Sequence, residues 1–164
     1  MLRINDVYQY QDLSIRILKI LSEHIVWIDI NDVKALPEII SKTELFHAIE
    51  SFEVFRIEDP FQDIAFIQPE KDSTSQRKRD ENYNLIKNID DHEQFYIPSA
   101  RSSLINEIIN SKKSTKQTIY RLLRQYWQRG QTPNALIPNY QNSGAKGSKK
   151  VASQKLGRKR LDRK

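Results

Sequence analysis

The stretch STKQTIYRLLRQYWQRGQTPNALIPNYQN, residues 114–142, carries the clearest helical pattern in the chain. Ser114 and Thr115 can each cap a helix, because a hydroxyl oxygen accepts from the free N–H groups of the first turn. Gly130 is expected to end the helix, and Pro133 to prevent it from resuming. Apolar side chains recur between these limits at helical spacing, at Ile119, Leu122, Leu123, Tyr126 and Trp127. One amphipathic helix from Thr115 is therefore predicted.

The first turn of this predicted helix is polar and basic. A recognition helix has this pattern, because its leading turn enters the major groove of DNA while its back packs on other helices. Gln117 can form two hydrogen bonds with an adenine edge, and Lys116 can reach guanine. We predict base contacts from Thr115, Lys116, Gln117 and Thr118. We predict phosphate contacts from Tyr120, Arg121, Arg124 and Arg129.

Two further helical patterns precede this helix. The first begins with Arg77 and continues to about Asp91, and the second begins at Pro98 or Ser99, with a turn at 110–113. Three helices of which the third reads DNA form a homeodomain-like helix-turn-helix domain. A plain helical bundle with a basic exterior is the alternative. It does not explain why the turn and third helix hold Lys112, Lys113, Lys116, Arg121, Arg124 and Arg129 with no acid among them.

The first 67 residues predict a small β-rich domain. Segments rich in β-branched and aromatic residues predict strands over 2–10, 14–21, 25–30 and 52–57. Hairpin turns are expected at 11–12 and 22–23, and Pro37 is expected to open one helix. The predicted fold class is α+β: a β-meander or SH3-like half-barrel with one helix, then the helix-turn-helix domain, then a disordered basic tail.

Charge divides the 164-residue chain in the same way. Residues 1–70 hold 6 Lys and Arg against 13 Asp and Glu, a net charge of −7, whereas residues 71–164 hold 21 against 8, a net of +13. The basic part predicts a polyanionic partner, and the acidic part favours contact with protein. Residues 68–76 lack periodicity and are predicted as a linker between domains at 1–67 and 77–131.

Residues 132–164 are predicted to form a basic extended arm. From residue 111 onward the chain has 15 Lys and Arg and one acid, Asp162, and self-repulsion keeps such a segment open. Arg158, Lys159 and Arg160 follow Gly157 and are similar to an arm that places Arg in a narrow minor groove. A nonspecific basic tail is the alternative.

The composition excludes several kinds of site. The chain has no cysteine, so it has neither disulfides nor thiolate metal sites. No apolar run is long enough to span a bilayer, and the first residues lack a signal-peptide pattern. We therefore expect a cytoplasmic, nucleoid-associated bacterial protein. The three His are far apart in sequence, so no metal site is predicted.

The run RLLRQYWQRGQTPNALIP, residues 121–138, is specific enough to suggest a family. Together with KQTIY at 116–120, LRINDV at 2–7 and EDPF at 58–61, it resembles TnsB, the DDE transposase subunit of Tn-seven-like transposons. The resemblance covers nearly the whole chain but only the amino-terminal part of the family's length. It implies binding to double-stranded DNA at repeats in the transposon ends. It also implies further copies of the transposase, or other transposition proteins, as partners.

The resemblance further implies a catalytic fold that this chain does not match. The family's chemistry uses Asp, Asp and Glu side chains and two Mg²⁺ ions. Asp162 is the only carboxylate side chain after Glu107, so no catalytic residue or cofactor carries over. We expect end binding rather than strand transfer from this chain itself. The alternative is a stand-alone DNA-binding regulator that competes for transposon ends or represses transcription.

Overall fold

The computed structural model of the chain describes residues 2–89, 93–112 and 114–138. An antiparallel sheet is followed by helices, in agreement with the predicted α+β class. The strands are β1 (Val7–Tyr10), β2 (Leu13–Ile20), β3 (His24–Asp29), β4 (Glu38–Ser41) and β5 (Val54–Ile57). Their order in the sheet is β4-β3-β2-β1-β5. The first four strands therefore form a meander, and β5 returns to pair with β1.

The first hairpin lies where the sequence places it, but β1 is shorter than expected. Gln11 and Asp12 join β1 to β2, and Gln11 adopts a left-handed φ of 52°. Strand pairing was predicted from residue 2. Instead, Asn5 has a φ of 71°, and the Asp6 N–H donates to the Arg3 carbonyl. This turn bends the chain, so the regular ladder with β2 begins at Val7, and before it Asn5 and Asp6 each form one backbone hydrogen bond with Ile17.

The helix that Pro37 was expected to open begins five residues later. Residues 38–41 form β4 instead, in which Ile39 pairs with Val26 and Ile40 with Ile25. Both residues are β-branched and fit a pleated surface better than a helix. The helix α1 (Lys42–Glu50) follows, and Ser41 at its start is extended. The predicted helix was right in its second half and wrong in its first.

Three longer helices follow the sheet: α2 (Thr74–Ile86), α3 (Pro98–Lys112) and α4 (Lys116–Gln128). The start of α2 lies three residues before Arg77, because the Ser73 hydroxyl accepts from the Gln76 N–H and caps the helix. Its α-helical part ends at Ile86, short of the expected Asp91, and continues as a 3-10 turn to Ile89. α3 extends to Lys112, so residues 110–112, which were predicted as part of a turn, are helical.

The sheet is buried on both faces, so the molecule has three layers. On one face, Ile15, Ile17 and Ile25 pack with Leu45 of α1. On the other face, the buried cluster contains sheet residues together with residues of α2, α3 and α4. Its members include Leu18, Val26, Ile28, Ile86, Ile105, Leu122, Leu123 and Trp127. We call this cluster the shared core, because sheet and helices build it together.

The chain also stays packed beyond the predicted domain end at residue 131. A 3-10 helix covers Pro133–Leu136, where an extended arm was expected, and Ala135 and Leu136 are buried in the shared core. Proline at the start of this helix fits its fixed φ. The predicted minor-groove residues Arg158, Lys159 and Arg160, and the turn residue Lys113, lie outside the described residues.

Candidate nucleic-acid interface

The leading end of α4 is held by a side-chain cap. The Thr115 Oγ1 accepts from the Thr118 N–H at 3.2 Å and donates to the Thr118 Oγ1 at 2.9 Å. This satisfies one of the free N–H groups of the first turn. All five apolar positions of the sequence pattern are buried, as predicted, and Trp127 is fully so. The helix is therefore fixed on its apolar side and capped at its start.

The first two turns of α4 present polar and basic side chains to solvent. Thr115, Lys116, Gln117 and Arg121 are exposed, and Thr118 is half-buried. The Lys116 Nζ lies 6.0 Å from the centroid of the Tyr120 ring. Gln117 and Arg121 are four residues apart and so lie on one face. These donors can reach acceptors on base edges and phosphates at the same time.

The second half of α4 is covered on its outer side by a part of the sheet layer. Residues 30–37, here called the β3–β4 loop, contact two polar side chains of the helix. The Arg124 Nε donates to the Ala35 carbonyl at 3.2 Å. The Gln128 Nε2 donates to the carbonyls of Asp29 and Asp32 at 2.8 and 2.7 Å. Only the leading half of α4 is therefore left open on this side.

The predicted phosphate-binding residues divide into two groups. Tyr120 and Arg121 lie with the leading half, and Arg124 lies at its margin with its guanidinium 5.5 Å from the Tyr120 ring. Arg129 lies apart, because it caps the far end of α4, about 20 Å from Lys116 at 1.5 Å per residue. Its guanidinium is 5.7 Å from the Phe61 ring, and burial lowers the pKa of Arg129.

A buried arginine that sequence reasoning missed ties β2 to the end of α4. The side chain of Arg16 is fully buried, and its Nε donates to the Gln128 carbonyl at 3.0 Å. Its two terminal nitrogens donate to the Asp59 carboxylate at 2.8 and 2.6 Å, and one of them also donates to the Asn5 carbonyl. A cation at the C-terminal end of a helix is favourable. The one available signal was an arginine between the apolar residues of a strand.

Further bonds tie the helices to the sheet layer. Gly130 has a φ of 98°, which lets the chain turn back after α4. Gln131 then donates from its Nε2 to the Asn5 Oδ1 and the Leu18 carbonyl, at 3.0 and 3.1 Å. In α3, Arg101 donates to the Pro37 carbonyl at 3.3 Å, and burial lowers the pKa of Arg101. The helices are thus attached to the sheet layer at several points.

Two other kinds of site find no support in the described residues. Within them, no three His, Asp or Glu side chains come close enough to hold a metal ion. The helices among them are also too short or too polar to cross a membrane.

Comparison with known proteins places both layers in one family. Residues 1–60 match the family described as the TnsB N-terminal SH3-like domain, and residues 79–140 match the TnsB second domain. Over 162 residues the chain is 39% identical to the transposon Tn7 transposition protein TnsB of Escherichia coli. The alignment covers 98% of this chain and 23% of that protein, so the chain spans under a quarter of the relative's length.

Proposed function

Since this chain belongs to the TnsB family, we propose that it binds double-stranded DNA at transposon ends and reads the base sequence with the leading half of α4. The observation that carries the proposal is the exposed leading half of α4, which is basic, free of acids and fixed on a buried core. Phosphate contacts alone would give affinity without specificity. Polar side chains that can enter the groove are needed for readout.

In this proposal, α3 and α4 act as the two helices of a helix-turn-helix, and α2 completes the unit. Support comes from the short connection at 113–115 and from the contribution of all three helices to the shared core. Thr115, Lys116, Gln117 and Thr118 face the bases, with the Thr115 hydroxyl also serving as cap. Tyr120, Arg121 and Arg124 face the phosphates, and Arg129, at the far end, is the weakest of these assignments.

The remaining parts of the proposal rest on the family and the composition. Arg158, Lys159 and Arg160 are assigned to the minor groove beside the site read by α4. Other copies of the transposase or other transposition proteins are the proposed protein partners, and the location is the bacterial cytoplasm with its nucleoid. Integration and recombination by strand transfer are assigned to the family's Mg²⁺-dependent chemistry and not to residues of this chain. A regulator that only occupies transposon ends would use the same surface.

The proposal is tested by selecting duplexes from a random pool with the 164-residue chain. We expect a defined sequence to be enriched and to bind more tightly than unselected duplex. A chain with both Lys116→Ala and Gln117→Ala should lose the enrichment, whereas Lys42→Gln in α1, on the other face of the sheet, should keep it. Absence of any enriched sequence with the unaltered chain would overturn the proposal.

A further inference from the structure

The β3–β4 loop belongs to the sheet layer, yet the helices hold it. Arg124 and Gln128 of α4 bond to the carbonyls of Ala35 and Asp32, and Arg101 of α3 bonds to the carbonyl of Pro37. These bonds lie along the loop from its start to its end. The loop is therefore fixed relative to α4 and does not depend on the sheet alone for its position.

The loop lies on the same side of α4 as the exposed polar residues. At 100° per residue, Gln117, Arg121, Arg124 and Gln128 fall within an arc of about 60° opposite the buried face. The first two are on the open half, and the last two carry the loop. A duplex seated on the first two turns of α4 therefore continues toward the loop.

The tip of the loop presents an exposed cation. Val33 is 80% exposed, and Lys34 beside it is also exposed. The Lys34 N–H donates to the Asp32 Oδ1 at 2.8 Å, and the Ala35 N–H donates to the Asp32 carbonyl at 3.1 Å. This turn holds the Lys34 backbone in place, so only the side chain has to be ordered when it binds a partner.

We propose that the β3–β4 loop is a second DNA-contacting element, in which Lys34 pairs with a phosphate next to the bases read by α4. This inference rests on the proposed function, since it needs a duplex on the leading half of α4. It gives the acidic sheet layer a direct part in binding DNA. The exposed carboxylate of Asp32 lies beside Lys34 and opposes the same phosphates, so the two side chains act in opposite directions.

The test uses opposite charge changes on the 164-residue chain with the selected duplex. Lys34→Gln should weaken binding roughly two- to fivefold near physiological salt, the range for one exposed ion pair. It should also flatten the slope of log K against log salt by about 0.9. Asp32→Asn keeps an acceptor oxygen for the Lys34 N–H and removes the charge, so it should strengthen binding by a similar factor.

Matched controls lie on the opposite face of the sheet. Lys42→Gln and Glu44→Gln change the same charges in α1 and should leave affinity and salt slope unchanged. Arg121→Gln tests DNA binding by α4 independently of the β3–β4 loop. If it weakens binding while Lys34→Gln and Asp32→Asn do nothing, the loop assignment is wrong and the α4 surface stands. If none of the three has an effect, the proposed function itself is wrong.

Discussion

Gln117 and Arg121 lie one turn apart on the open half of α4, and the proposed DNA complex assigns Gln117 to sequence specificity and Arg121 to general affinity for DNA. The Gln117 amide can donate and accept a hydrogen bond at once, which matches the edge of adenine. The Arg121 guanidinium binds phosphate, which is present in DNA of every base sequence. Replacing Gln117 by Ala should therefore cost roughly 1–3 kcal/mol of binding free energy on the selected duplex. Fluorescence anisotropy with selected and scrambled duplexes measures the difference. An equal loss on both would contradict base readout by Gln117.

Arg121→Ala should act on every duplex alike. The exposed side chain has no ion pair among the described residues, so its removal should leave the fold intact. We expect weaker binding to selected and scrambled DNA and a salt slope reduced by about one unit. A salt titration of both duplexes measures this. An unchanged slope would remove Arg121 from the phosphate contacts.

At the residue scale, the sequence predicted the exposed side chains in the leading half of α4 but not the hydrogen bonds that attach its C-terminal end to the sheet layer. The exposure of Gln117 and Arg121 follows from helical periodicity, whereas Lys116 falls on the apolar face by spacing and is exposed at the first residue of the helix. The bonds of Gln128 and Arg16 depend on which element packs next to α4. A single polar residue carries no signal of a partner more than 90 positions away, as Asp29 is from Gln128.

At the scale of elements, the contribution of the α4 cap to stability can be measured in the absence of DNA. Thr115→Ala removes the acceptor for the Thr118 N–H and should lower the free energy of unfolding by about 1 kcal/mol. Thr115→Ser keeps the hydroxyl and should match the unaltered chain. Urea titrations of the two variants give the comparison. Equal stability of Thr115→Ala and Thr115→Ser would show that the cap contributes nothing.

An amphipathic helix such as α4 was easier to predict than β4, which is a strand because it pairs with β3. The capping hydroxyl, apolar spacing and closing glycine defined α4 to within a residue. By contrast, β4 was read as helix, because Ile39 and Ile40 suit either form when the pairing with β3 is unknown. The continuous apolar run at 25–28 in β3 did hold a signal that was missed. Such runs indicate strands buried on both faces.

For the whole molecule, the shared core should make sheet and helices unfold together. The chain has two tryptophans, Trp27 on the α1 face of the sheet and Trp127 in the shared core. In a Trp127→Phe variant, fluorescence reports Trp27 in the sheet, while far-UV circular dichroism reports mainly helix. We expect both signals to change at the same urea concentration, as a single cooperative transition requires. Separate midpoints would favour two domains joined by a linker.

The packing of sheet and helices around the shared core could not be predicted from the sequence, for a physical reason. Composition and charge change sharply near residue 70, and such a change usually marks a boundary between units. An apolar run can indicate burial on both faces, however, without indicating that α2, α3 and α4 are what covers Leu18, Val26 and Ile28. The change of charge near residue 70 therefore does not separate the buried side chains, because sheet and helix residues of the described part share one core.

If α4 reads DNA as proposed, the attachment of its far end restricts which of its residues can change to give a new DNA target. Arg16 donates to the main-chain carbonyl of residue 128, and the Gln128 side chain donates to the carbonyls of Asp29 and Asp32, so a helix with an apolar side chain at position 128 would lose its bonds to the sheet layer at that point. The exposed residues Thr115, Lys116, Gln117 and Arg121 form no such bond to the sheet layer among the described residues, whereas Ile119 between them is buried in the shared core. Diversification of target choice, in nature or by engineering, is expected to concentrate in these exposed residues while the remainder of the helix changes little.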